Sequence, residues 1–182
     1  MTARMPPAEN PPKITVQRAG SAADIDAVRG LMREFNRWVM VEIAETDNSS
    51  IFAEFELELA GLPGRYGPPS GCLVLARLHG DPAGCVAFYA HDAITVEIKR
   101  MFVPARARGH RIGDQMMGLL LAQARAAGYR QALLSSHHSM HAAHAIYHRA
   151  GFRDVPPSAA FPGVVAGVDV CMAMALAADT GA

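Results

Sequence analysis

The sequence has few cysteines and no excess of charge of either sign. Its three cysteines, Cys72, Cys85 and Cys171, are too few and too widely spaced for a disulfide framework or a C-x-x-C zinc site. Seventeen Lys and Arg residues balance 17 Asp and Glu residues, so the formal net charge is zero. This balance argues against a broadly basic nucleic-acid-binding protein, but it is compatible with a local anion site.

The sequence also lacks a hydrophobic run long enough to cross a membrane. Its most apolar segment, VDVCMAMALAA, contains Asp169 and is much shorter than the roughly 20 apolar residues that a spanning helix needs. The first residues, MTARMPPAENPP, contain no apolar core of a signal peptide. We therefore expect a cytoplasmic protein that acts neither at a membrane nor on nucleic acid.

The 182 residues, 51% of them hydrophobic, suffice for one compact domain. Residues 1–12 contain four prolines and little that could be buried, so they are expected to form a flexible N-terminal tail. We expect a single domain over 13–178 and a short C-terminal tail over 179–182.

The first half of the chain predicts helices and then strands. ITVQ is expected to be an edge strand, and Ser21 to begin a helix with apolar residues at helical spacing. A helix over 50–60 competes with a strand, because apolar residues and glutamates alternate there. After the turn-rich segment GLPGRYGPPSG, the runs CLVLARL, CVAFYA and ITVEIKRMFV predict an antiparallel meander, with HGDPAG as its first turn.

The second half predicts a helix over 112–127, a strand ALLSS, a helix over 139–150 and two closing strands. Gly128 and Gly151 are placed to end the two helices as C-caps. The whole order is mixed α/β without a regular βαβ alternation.

The clearest chemical pattern is RARGHRIG, Arg106 to Gly113, between a predicted strand and a predicted helix. Gly109 and Gly113 would let main-chain N–H groups approach a ligand, and the helix start supplies unsatisfied donors. Five basic residues and no acid lie within 99–111, namely Lys99, Arg100, Arg106, Arg108 and Arg111. The pattern predicts a pyrophosphate site, and an ordinary turn with a solvated basic face is the alternative.

Two common nucleotide motifs do not fit this segment. A P-loop requires Lys and Ser or Thr after its last glycine, whereas Gly113 is followed by Asp114 and Gln115. The G-x-G-x-x-G fingerprint of dinucleotide-binding folds is absent as well.

The same window resembles the acetyl-CoA signature [QR]-x-x-G-x-[GA] of the GNAT superfamily of N-acetyltransferases. It reads Arg108-Gly109-His110-Arg111-Ile112-Gly113, with Arg111 in place of the central glycine. The resemblance continues upstream in EIKRMFVPARARG and downstream in MHAAHAIYHRAGF, and it covers roughly residues 14–176. The sequence is most similar to small bacterial-type members with an LPG-x-Y loop, an EIKR strand and a Y-x-x-x-GF ending.

The resemblance implies a GNAT-like α/β fold whose central, mostly antiparallel sheet splays at an acetyl-CoA site between its fourth and fifth strands. It implies that the segment Met101, Phe102 and Val103 binds the pantetheine arm. Main-chain N–H groups from Gly109 to Asp114, including those of His110 and Ile112, would hold the pyrophosphate, with Arg108 at the head of the window. Met140 stands where family members often have an asparagine that contacts CoA.

The implied reaction is acetyl-CoA-dependent acetylation of an amine. It requires a neutral amine, stabilisation of an oxyanion and a proton for the departing thiolate. By the resemblance, Glu97 relays the amine's proton, the Met101 N–H stabilises the oxyanion and Tyr147 protonates the thiolate. Burial is expected to raise the pKa of Glu97 if Lys99 is turned away. Pairing of Glu97 with Lys99, and simple core packing of Tyr147, are the alternatives.

Three further interpretations follow from the sequence. Histidines at 137, 141, 144 and 148 have the i,i+4 spacing of metal ligands, but a solvated histidine face is favoured and no metal is predicted. Substrate specificity is expected to come from the first helices and the loop over 61–71, where Trp38, Glu42, Arg65 and Tyr66 either line an acceptor pocket or merely cap the core. A catalytically silent acyl-CoA-binding sensor is the alternative function, and a homodimer through the final strands is compatible with the pattern.

Overall fold

The computed structural model describes residues 12–42, 49–161 and 163–176. The predicted tails 1–12 and 179–182 lie outside these ranges, apart from Pro12. None of the helices in the described ranges is long and apolar enough to cross a membrane.

Within these ranges the chain forms seven strands and four helices, with single 3₁₀ turns at Gly64–Tyr66 and Ala105–Ala107. In chain order they are β1 (Ile14–Arg18), α1 (Ala22–Glu42), α2 (Ser49–Ala60), β2 (Cys72–Leu78), β3 (Asp81–Ala90), β4 (Thr95–Phe102), α3 (Ile112–Ala126), β5 (Gln131–His137), α4 (His141–Ala150), β6 (Arg153–Val155) and β7 (Asp169–Ala175).

Local sequence signals account for several of these boundaries. The Asp24 N–H donates to Ser21 Oγ at 3.1 Å and the Ser21 N–H donates to the Asp24 carboxylate at 3.3 Å, a reciprocal cap that begins α1 as predicted. Segment 50–60 is helical because its apolar residues Phe55 and Leu59 are buried four residues apart, while Leu57 between them is 74% exposed.

Both predicted glycine caps are confirmed. Gly128 and Gly151 have φ of 89° and 107°, and their N–H groups donate to Arg125 and His148 carbonyls at the ends of α3 and α4. The predicted β2–β3 turn is too long. Strand β3 already begins at Asp81 after a two-residue turn, because Pro82 is accommodated where the register shifts against β2.

The sheet has the order β1-β2-β3-β4-β5-β7-β6, and every neighbouring pair is antiparallel except β4–β5. Strands β4 and β5 pair only over Thr95–Glu97 and Gln131–Leu133, although both continue beyond those residues. They therefore separate toward their carboxyl ends. The splay between the fourth and fifth strands is confirmed, and the insertion of β7 between β5 and β6 was not predicted.

Strand β4 contains a bulge at Arg100, a non-glycine residue with φ of 61°. Between Lys99 and Phe102 the register of β4 shifts by one residue against β3. As a result Lys99 and Phe102 lie on the same face of the sheet, and Met101 between them packs against the opposite core.

Helices cover both faces of the sheet. Ile112, Met116 and Leu120 of α3 and Tyr147 of α4 are buried on one side, which we call the α3/α4 face. Val28 and Met32 of α1, Phe55 and Leu59 of α2 and Tyr66 are buried on the other side, the α1/α2 face.

Candidate active site

A cavity of about 540 Å³ lies between the end of β4 and the beginning of α4, on the side where β4 and β5 separate. Four parts of the chain form its walls. The first two are Phe35 and Trp38 of α1 and the segment Met101–Val103 at the end of β4. The other two are the turn before α3 with its first residues (Ala107–Gly109 and Arg111–Asp114), and α4 with the residues before it (Ser139–Ala143, Ile146 and Arg149). The rings of Phe35 and Phe102 pack there at a tilt of 51°, with centroids 5.4 Å apart.

The turn before α3 exposes main chain to this cavity. Gly109 has φ of 87°, and a Cβ placed on it would meet nothing within 4 Å. Arg111 precedes α3 with φ of 55° and makes no side-chain cap to the helix. The first N–H groups of α3 therefore point out of the helix without a side-chain cap, as a site for an anion requires.

Gly113 has a packing function in addition to its place in the turn. A Cβ on this residue would come within 2.5 Å of Ile146 Cδ1 on α4. The glycine therefore sets how closely α3 approaches α4 along one wall of the cavity. A bulky substitution at this position would test helix packing before it tested anion binding.

The predicted basic cluster is divided by ion pairs. Lys99 pairs with Glu97 at 2.6 Å, Arg100 with Glu58 at 2.6 Å and Arg106 with Glu34 at 2.6 Å. Only Arg108 and Arg111 of the five basic residues line the cavity. The expectation that all five concentrate beside the helix start is therefore wrong, because acids pair with three of them, two of these acids from distant helices and the third from the same strand.

Arg149 supplies positive charge that the sequence analysis missed. Its guanidinium contacts the Asp114 carboxylate at 2.9 Å, and Arg111 contacts the same carboxylate at 3.5 Å. Asp114 lines the cavity, but two cations offset its charge. The signal for Arg149 was its helical spacing from Ala142 and Ile146, since all three project from α4 toward the same wall.

The other predicted cofactor-binding residues are mostly at the cavity. Met101, Phe102, Val103, Gly109, Ile112 and Met140 all line it, whereas His110 is not part of its walls. Met140 is the residue before α4 and makes no side-chain cap. Its thioether therefore contributes apolar wall area rather than the hydrogen bond of an asparagine.

Tyr147 is 6% exposed and follows Ile146 on α4, but its own side chain is not among the cavity walls. Its ring packs against Phe152 with centroids 6.2 Å apart. Burial raises the pKa of the Tyr147 phenol, so the hydroxyl stays protonated at neutral pH. Chemically it is a proton donor and not a base.

Glu97 is buried on the α1/α2 face and already has partners. Lys99 Nζ is 2.6 Å from one carboxylate oxygen, the Tyr89 hydroxyl donates to the other, and His91 Nδ1 is 3.7 Å away. Burial acts to raise the pKa of Glu97, but the hydrogen bonds from Lys99 and Tyr89 outweigh it and hold the pKa below its ordinary value. The condition for a raised pKa of Glu97, that Lys99 is turned away, is therefore not met, and the alternative pairing of Glu97 with Lys99 is the one present.

The histidines near α4 do not form the simple solvated stripe that was expected. His141 and His148 are exposed, but the ring Nε2 of His144 is buried without a hydrogen-bond partner among the described residues. Ala142 and Ala145, expected on the buried side, are exposed. In the part of the chain that the structure describes, no three His, Cys, Asp or Glu side chains are grouped as metal ligands would be.

The chain is similar to known acetyltransferases. A family model described as "Acetyltransferase (GNAT) family" matches residues 31–152. An uncharacterised N-acetyltransferase of Schizosaccharomyces pombe is 26% identical over 149 residues, which are 81% of this chain and 87% of that protein. The N-acetylaspartate synthetase of Mus musculus is 36% identical over 92 residues, which are 50% of this chain and only 31% of that protein.

A solved structure has the same fold. The PaiA N-acetyltransferase from Thermoplasma acidophilum, in complex with coenzyme A, superimposes with a TM-score of 0.70 at 15% sequence identity. The match covers 90% of this chain and 99% of the other. The GNAT-like α/β fold predicted from the sequence is confirmed by this likeness.

Proposed function

Because the chain belongs to the acetyltransferase (GNAT) family and is an acyltransferase, we propose that it transfers the acetyl group of acetyl-CoA to a primary amine. The amine nitrogen bonds to the thioester carbonyl carbon, and the carbon–sulfur bond breaks. The nitrogen loses one proton and the thiolate gains one, so the products are an N-acetylated amine and CoA. The observation that carries the proposal is the cavity bordered both by the bulged end of β4 and by the uncapped start of α3.

In this proposal the main chain does most of the binding. The N–H groups from Gly109 to Asp114 hold the pyrophosphate, and Arg108, Arg111 and Arg149 offset its charge. The arm of the cosubstrate lies along Met101 to Val103, where the splay leaves β4 unpaired on its β5 side. The fold of the CoA-bound Thermoplasma enzyme supports this assignment by likeness.

Tyr147 is proposed as the acid that protonates the CoA thiolate. Its support is the Y-x-x-x-GF pattern together with burial that keeps the phenol protonated. Glu97 is proposed to act as a fixed carboxylate near the acceptor amine. Because its pKa lies below the ordinary value, the amine's proton leaves through water bound beside Glu97 rather than by lasting protonation of the carboxyl group.

The proposal is tested by incubating the protein with acetyl-CoA and a panel of amines, polyamines, amino acids and peptide N-termini. Release of free CoA thiol and acetylation of the amine, followed by mass spectrometry, should rise together for at least one class. Calorimetry with acetyl-CoA in the absence of amines measures binding independently. Tight binding of acetyl-CoA with no turnover of any amine would favour the acyl-CoA sensor instead.

A relative adds one indication about the acceptor. The N-acetylaspartate synthetase is named for a product whose parent amine is an amino acid, although the match covers under a third of that protein. We therefore include free amino acids in the first panel.

A further inference from the structure

One carboxylate on the α1/α2 face is shared by two arginines. Arg100 Nε and Nη2 contact the two oxygens of Glu58 at 2.6 and 2.8 Å, a bidentate pair that already neutralises this acid. Arg65 Nη2 contacts Glu58 as well, at 3.0 Å, and the Tyr66 hydroxyl donates to it at 3.0 Å. Two arginines and one glutamate give this cluster a net charge of +1. Because Arg100 already neutralises Glu58, the excess positive charge is that of Arg65.

Arg65 is fixed in place while part of it stays open. Its guanidinium carbon lies 4.1 Å from the Tyr89 ring centroid and 5.2 Å from the Tyr66 ring centroid. Among the described residues its hydrogen bonds go through Nη2 alone, and the side chain is 49% exposed. Nε and Nη1 have no hydrogen-bond partner in the part of the chain that the structure describes. They lie on different edges of a guanidinium that is held by stacking, so each offers a single charge-assisted hydrogen bond to an anion.

Neighbouring groups do not cancel this charge. Across Tyr89, Glu97 is matched one to one by Lys99. Asp169, at the far end of the sheet opposite His137, accepts a hydrogen bond from the Val165 N–H at 3.0 Å.

There is also room for a ligand beside Arg65. A cavity of about 440 Å³ is lined by this residue together with Glu58, Gly61, Pro63, Gly64 and Tyr66. That volume lies within the usual range for a small-molecule site of about 300–1,000 Å³.

We propose that the acceptor is an amine that also carries a carboxylate, and that Arg65 binds this carboxylate through Nη1. The inference rests on the proposed acetyl transfer and deepens it by naming the acceptor class. The free amine of such an acceptor would lie toward Tyr89 and Glu97, on the α1/α2 face of β4. A polyamine is disfavoured, because its second cation would meet Arg65 and Lys99 while Glu58 and Glu97 are already paired.

The test compares each of several amino acids with its own carboxamide, at matched concentrations of neutral amine, and includes spermidine. Wild-type kcat/KM should favour the carboxylate. Arg65→Gln should raise KM for the carboxylates by about tenfold, because a charge-assisted hydrogen bond is lost, and leave the carboxamides unchanged. Arg65→Lys should restore part of the affinity. Arg106→Gln, which breaks an ion pair with Glu34 outside both cavities, is the matched control.

The outcomes separate this proposal from the acetyl transfer on which it rests. Turnover of amines with no preference for the carboxylate, or an equal loss for both members of each pair in Arg65→Gln, would overturn the Arg65 assignment and leave acetyl transfer standing. Absence of turnover with every amine, despite acetyl-CoA binding, would end both. Thermal shift of the CoA-bound protein by each carboxylate, present in wild type and absent in a folded Arg65→Gln, gives a readout that does not depend on activity.

Discussion

The two faces of the sheet contain sites of different construction. The large cavity is formed mainly by three segments that follow one another in the chain, the end of β4, a glycine turn and the start of α3. Side chains of α1 and α4 complete its walls. On the α1/α2 face, Glu58 and Arg100 meet across 42 positions of sequence, and Tyr89 and Glu97 meet across eight. A site made of consecutive main chain leaves a local motif, whereas a network of side chains from distant elements leaves none.

This difference predicts how each site responds to substitution. Main-chain binding depends on conformation and close packing, so it should be sensitive to glycines and weakly sensitive to single charges. The side-chain network depends on ionisation, so its contribution should change with pH. The following variants test that distinction, from the largest expected effect to the smallest.

Replacement of Tyr147 by Phe should cause the largest change. The ring and its contact with Phe152 remain, but the proton donor is lost, so kcat should fall by about 100-fold or more with little change in Tm. Tyr129→Phe is the control, since the Tyr129 hydroxyl donates to the Ser70 carbonyl away from the cavity. Wild-type kcat in a folded Tyr147→Phe protein, with chemistry rate-limiting, would contradict the role.

Gly113→Ala should be less stable than an alanine substitution at an open position of the same helix. The new Cβ meets Ile146 Cδ1 at 2.5 Å, and moving the end of this flexible side chain costs about 1 kcal/mol of unfolding free energy. Gly118→Ala on the same helix has nothing within 4 Å of its Cβ and should instead stabilise the protein by up to about 1 kcal/mol. Thermal or urea unfolding measures both variants. If Gly113→Ala is as stable as Gly118→Ala, the close approach of α3 and α4 is not required.

Glu97→Gln should reveal the pH dependence of the network. The pKa of Glu97 is lower in the folded protein than its ordinary value of 4.5, so the carboxylate stabilises the fold above that pH and the contribution disappears as the pH falls through the folded-state pKa. At pH 7 the variant should be less stable by about 1–3 kcal/mol, because Lys99 loses its charged partner.

This loss should shrink toward zero in acid, and urea unfolding across pH 3–7 measures it. Glu56→Gln, which breaks an exposed contact with Arg33 at 3.6 Å, should have little effect at any pH. A loss in Glu97→Gln that is the same at pH 3 and pH 7 would mean that packing, and not ionisation, is responsible.

Arg149→Gln should weaken binding of CoA without abolishing it. Asp114 then keeps only the longer contact with Arg111 and presents more negative charge to the cavity, so affinity should drop by about tenfold. The effect should diminish at high salt, where the loss of one charge matters less. Arg106→Gln is the matched control, and calorimetry decides. Complete loss of binding would show that side-chain charge, and not main chain, holds the anion.

Arg111→Gly should give the smallest change and in the opposite direction. Arg111 has a left-handed main chain with φ of 55°, which costs a non-glycine residue about 1 kcal/mol. Glycine relieves this strain, so the unfolding free energy should rise by less than about 1 kcal/mol. Arg111→Ala retains the strain and should not be stabilised. Equal stability of the two variants would remove strain as the explanation.

The same contrast explains what could be predicted from the sequence. The glycine turn, the helix starts and ends, and the splay follow from local motifs and from the family resemblance, and the structure contains them. The partners of Arg100 and Arg106 could not be predicted, because each ion pair joins side chains whose proximity depends on the fold. The pairing of Glu97 with Lys99 was open as an alternative, because residues two apart in a strand share a face, and the structure selects it together with a lowered pKa of Glu97.

The order of strands was beyond local signals too. Residues 152–155 and the segment VDVCMAMAL predict two closing strands. In the structure the second of them, β7, lies between β5 and β6 and pairs with both, and no turn residue in the sequence indicates this order.

The bulge at Arg100 determines which residues of β4 point to each face of the sheet. Up to Lys99 the odd-numbered residues point to the α1/α2 face, and after the bulge Met101 and Val103 point to the other. One strand thereby presents side chains of neighbouring odd-numbered residues to opposite sides of the sheet. Substitutions can change the side chains on either face separately. Insertion or deletion of a single residue between Lys99 and Phe102 would instead turn the remaining residues of this strand to the opposite face. This segment should therefore tolerate changes of residue type far better than changes of length.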